Sequence, residues 1–80
     1  MKKEKKKYKN NLYEMLISDS MAKAKKAVLS LDLLTNSAVG IGDHSTDDFY
    51  NNVKDAIKSL TDAEDEIETI DNYFLRGKYD

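Results

Sequence analysis

Residues 49–74 read FYNNVKDAIKSLTDAEDEIETIDNYF, and this stretch decides the fold. Its apolar positions are Phe49, Val53, Ala56, Leu60, Ala63, Ile67, Ile70 and Phe74, stepping 4, 3, 4, 3, 4, 3, 4. That rhythm is a heptad seam on an α-helix; a strand would alternate with period two. Between the seam positions stand mostly Asn, Lys, Asp, Glu, Ser and Thr, which belong in water. Ser45 with Asp48 three residues on forms a weak capping box, and Asp47 and Asp48 suit the orphan amides of a first turn. Arg76 and Gly77 mark the end, as a basic last turn and a C-cap glycine.

The first half repeats the rhythm. Tyr13, Ile17, Ser20, Ala24, Ala27, Leu31, Leu34 and Ala38 step 4, 3, 4, 3, 4, 3, 4 as well. Folding the chain back at its Gly-containing middle pairs Tyr13 with Phe74, Ile17 with Ile70, and so on to Ala38 with Phe49, every pair of numbers adding to 87. A constant sum is the condition for an antiparallel hairpin. The expected fold is therefore all-α: an antiparallel, coiled-coil-like helical hairpin over residues 11–76. Its loop is expected at about 39–45, with a Lys-rich solvated extension at 1–10 and a frayed end at 77–80. An alternative is that Ser18 or Ser20 caps a new helix and splits off residues 3–17.

Such a rod is thin. Residues 13–38 at about 1.5 Å each span roughly 40 Å. Two helices of that length bury too little to offset about 1.5 kcal/mol of ordering per residue comfortably. The back of the first helix carries a second apolar stripe, Tyr8, Leu12, Met15, Ala22, Leu29 and Leu33, interrupted by Asp19 and Lys26. A helix apolar on two sides is covered on two sides. The six stripe residues are thus candidate interface residues, and an oligomeric helical bundle with the first helix innermost is expected.

Composition narrows the chemistry. The 80 residues contain no Cys, Trp or Pro and one His. Disulfides and thiolate metal sites are excluded, and no apolar run approaches the length of a membrane span. A secretory h-region is absent after the charged start. The net charge of −2 hides a division: residues 1–30 hold nine Lys and three acids, and residues 31–80 hold twelve acids and four bases. Complementary halves point to packing of one against the other, within a chain or between chains. Tyr8 among Lys5, Lys6, Lys7 and Lys9 has the composition of a base-stacking segment, but the acidic second half disfavours nucleic acid.

The middle segment VGIGDHST, residues 39–46, holds the remaining candidates. Gly40, Gly42, Asp43, His44 and Ser45 are read as loop-forming: a C′ glycine, a turn glycine, an Asx-turn and a cap. One His beside first-turn acids is thin for a metal, and it lacks a nucleophile for catalysis. No catalytic residue, metal or cofactor is assigned.

GIGDHS at 40–45 followed by AEDEIETIDNYF at 63–74 resembles a group of small helical proteins of tailed bacteriophages, including those of marine cyanobacteria. Its pattern is a Gly-x-Gly-acidic-His-Ser loop, an Ala-Glu-acidic stretch and a terminal aromatic pair. The matching positions are Gly40, Gly42, Asp43, His44 and Ser45, then Ala63, Glu64, Asp65, Tyr73 and Phe74. The resemblance covers residues 38–74, and the Lys-rich first dozen residues have no counterpart in it. It implies a phage accessory protein in the host bacterial cytoplasm, binding or modulating a host protein without catalysis. Alternatives are an oligomeric binder of a nucleotide-like ligand and a small phage structural or assembly protein.

Overall fold

The computed structural model describes residues 2–36 and 46–79. Helix α1 runs Lys2–Asn36 and helix α2 runs Thr46–Phe74, packed against each other with no strand among the described residues. Tyr13 lies beside Phe74, Ser20 beside Glu66, and Ser30 shares a groove with Ala56 and Ser59, so the helices are antiparallel. The all-α hairpin expected from the two seams is the observed fold.

The seam is where the chain leaves water. Every described seam position of both helices is buried or half-buried, and nearly every other described position is exposed. Ser20, Ala27, Ala56 and Ala63 are the buried seam residues. They are small, so the backbones approach closely there. Larger seam residues such as Leu31, Leu60 and Ile67 project from the line of contact and stay half-buried. The molecule measures 62 × 20 × 13 Å, and its thin dimension is close to one helix diameter.

Two polar clasps fix the register. The Ser20 hydroxyl donates to Glu66 Oε1 at 2.8 Å, and Lys23 Nζ joins the same oxygen at 3.4 Å while bridging Asp19 Oδ2 at 3.3 Å. Near the other end the Tyr13 hydroxyl donates to Asp71 Oδ1 at 2.9 Å, and its ring meets Phe74 edge-on, centroids 5.9 Å apart. Sliding one helix by a turn would break both clasps and leave Ser20 buried without a partner, a penalty of about 1–3 kcal/mol.

The ends of the hairpin carry structure beyond the two seams. The Lys-rich extension continues α1 as helix from Lys2, and no new helix begins at Ser18 or Ser20. Lys is a good helix former, so no seam is needed to carry the helix outward. Because Tyr13 meets Phe74, residues 2–12 overhang the end of α2. The tail expected to fray at 77–80 is turned back as far as Lys78. Gly77 takes φ 61°, the Lys78 N–H donates to the Asn72 carbonyl at 3.0 Å, and the Arg76 guanidinium donates to Asn72 Oδ1 at 3.2 Å. These bonds satisfy last-turn acceptors and cover Asn72, which is buried although it lies off the seam.

Candidate interaction surface

The stripe on α1 opposite the seam is open. Leu12 is 48% exposed, Met15 69%, Leu29 58% and Leu33 59%. Ala22 between them is exposed too, and Tyr8 occupies the next stripe position on the α1 backbone. The two charged interruptions, Asp19 and Lys26, are also exposed. The structure thus brings the candidate interface residues onto one continuous helical face, from Leu12 to Leu33 about 32 Å long. Among the described residues nothing covers it.

Other exposed apolar side chains stand beside the seam. Leu16, Met21 and Val28 flank the seam of α1, and all three are exposed. A single opposing helix is too narrow to reach them. On α2, Tyr50, Ile57 and Tyr73 are exposed beside the seam, with Lys54 Nζ 5.4 Å from the Tyr50 ring centroid. Leu75 and Tyr79, exposed in the turned-back tail, carried no periodic signal that would have found them.

Polar side chains between the helices hold the hairpin. Donation to Asp71 raises the Tyr13 phenol above its ordinary 10.0, with desolvation and the Asp71 charge acting the same way. Asp19 and then Glu66 raise the Lys23 ammonium above its ordinary 10.5, against an opposing desolvation. An open groove of about 380 Å³ lies beside Ala27, Ala56 and Ala63, edged by Lys23, Lys26, Asp62 and Glu66. Its two lysines are matched by two carboxylates, so it forms no cationic cradle for a phosphate. Among the described residues no three His, Asp or Glu side chains converge as a metal site. No helix there is long and apolar enough to cross a membrane. The loop candidates Gly40, Gly42, Asp43, His44 and Ser45 lie outside the described residues.

No known protein family, curated protein or solved structure matches this chain.

Proposed function

We propose that this chain is a non-catalytic protein–protein interaction module that assembles into a helical bundle. The observation that carries the reading is the exposed apolar face of α1, running from Leu12 to Leu33 on the side away from α2. An apolar stripe of this length, interrupted by Asp19 and Lys26, marks a contact surface. The use of the polar groups supports the same reading. Tyr13, Ser20, Lys23, Glu66 and Asp71 are engaged in bonds across the hairpin.

The resemblance of residues 38–74 to small phage proteins extends the proposal to a phage accessory protein acting on a host protein in the bacterial cytoplasm. The acidic outer face of α2 remains available for that host partner when α1 faces are packed together. The test is affinity capture from bacterial lysate by the full chain, beside sedimentation of the purified protein. The reading expects a discrete bacterial protein retained, or self-association, or both. A chain that stays monomeric and retains nothing overturns it.

A further inference from the structure

We infer that the α1 face takes a second copy of this chain, laid antiparallel about a two-fold axis near Ala22. The inference rests on the interaction reading above and names the partner on that face.

The order of residues along the stripe carries it. Ala22 stands at the middle and is the small residue of the stripe. Moving outward, Asp19 lies three residues before it and Lys26 four after. Met15 and Leu29 follow at seven residues on either side, then Leu12 at ten before and Leu33 at eleven after. Reversing the stripe about Ala22 therefore lays apolar on apolar and opposite charge on opposite charge. Met15 faces the second copy's Leu29, Leu12 faces its Leu33, and Asp19 faces its Lys26. The residues that interrupt the stripe within one chain become partners between two. A closed two-fold contact needs such a self-complementary surface.

Charge selects the direction. A parallel pair would set Asp19 against Asp19 and Lys26 against Lys26, and like charges across an interface are destabilising. Knobs-into-holes packing can shift the register by half a heptad, but Asp19 then still lies within about one turn of the second copy's Lys26. Asp19 and Lys26 are both exposed in the hairpin, and Asp19, already bridged to Lys23 at 3.3 Å, would share its carboxylate between Lys23 and the second copy's Lys26.

The overhang agrees with this direction. Residues 2–12 project beyond α2 and include six lysines and one acid, so the acidic α2 does not run alongside them in their own chain. In the antiparallel pair, the segment before Tyr8 passes the second copy's Asn36. A parallel pair would instead place one lysine-rich overhang beside the other.

The test uses the full chain, which has no cysteine of its own. Sedimentation equilibrium from low to high micromolar concentration should show a dimer. Asp19→Lys and Lys26→Asp should each weaken self-association about tenfold or more, and mixing the two variants should restore it. Circular dichroism keeps the comparison to variants of wild-type helicity. For direction, Leu12→Cys and Leu33→Cys are oxidised separately and mixed. The expected product is the mixed disulfide, formed faster than either variant with itself. Preferential Leu12→Cys self-linkage overturns the antiparallel arrangement. A wild type that is monomeric but retains a bacterial protein lost on Leu29→Glu with Leu33→Glu overturns the second copy and leaves the interaction reading standing. A monomer that retains nothing overturns both.

Discussion

Ser20 donates to Glu66 Oε1 at 2.8 Å from a seam position that is 2% exposed, whereas Glu66 reaches it from the half-exposed edge of α2. A hydroxyl thus occupies the line of contact where the neighbouring layers place alanine or aliphatic side chains, and the partner helix answers it from beside the seam. Polar positions of this kind select register.

Ser20→Ala should lower stability by about 1 kcal/mol, the net value of one hydrogen bond, with Lys23 still beside Glu66. Ser20→Leu should lower it by about 1–3 kcal/mol, because the added methylenes force the backbones apart. Urea unfolding followed by circular dichroism checks both; a Leu variant as stable as wild type would show that the helices are not closely apposed at this layer.

Tyr13→Phe keeps the edge-on ring contact with Phe74 and removes the bond to Asp71, so a small drop in melting temperature is expected. Tyr13→Ala removes the ring as well and should fall well below the Phe variant in thermal melting. Equal melting of the two variants would assign all of the Tyr13 contribution to its hydroxyl.

Alkali should loosen the hairpin. Tyr13 and Lys23 both hold their protons more tightly folded than unfolded. Their contribution is fully present below the unfolded values of 10.0 and 10.5, and it is lost as pH rises through the higher folded values. Melting temperature should therefore decline above about pH 10, and Tyr13→Phe with Lys23→Met should show a shallower decline. An identical slope in the double variant would refute the assignment.

Gly77→Val should destabilise the chain end by about 1–3 kcal/mol, since a β-branched residue is strained at φ 61°. Asn72→Ala should have a smaller effect in the same place, removing the Arg76 contact while leaving the carbonyl that Lys78 bonds. Amide exchange at Lys78 reports each directly. Unchanged protection in Gly77→Val would mean that the turn does not depend on glycine.

The antiparallel pairing of the helices was legible because Tyr13, Ala27, Ala56, Ala63 and Phe74 follow a rhythm with a constant sum; which turn faces which is set by the Tyr13–Phe74 contact and the Ser20–Glu66 bond. The clasps were not, because Glu66 and Asp71 stand one place off the seam and look in sequence like any other acid of α2. The helical course of residues 2–10 was hidden for a different reason: a lysine run has no apolar period, and only its intrinsic propensity speaks for a helix. Asn72 was hidden because the tail, rather than the partner helix, buries it. The α1 stripe could be read as a face from its spacing alone, but its openness could be known only once α2 was seen to occupy the other side.

The 13 Å thickness of the rod has a dynamic consequence. With no further layer among the described residues, each pair of facing residues is held mainly by the pairs before and after it. Such a chain opens as a zipper does, from its ends toward the tight alanine layers at Ala27, Ala56 and Ala63. Amide protection should therefore be graded along the rod, highest at those layers and lowest in the overhang. A second rod laid along α1 would raise protection from Leu12 to Leu33 and leave the outer face of α2 unchanged.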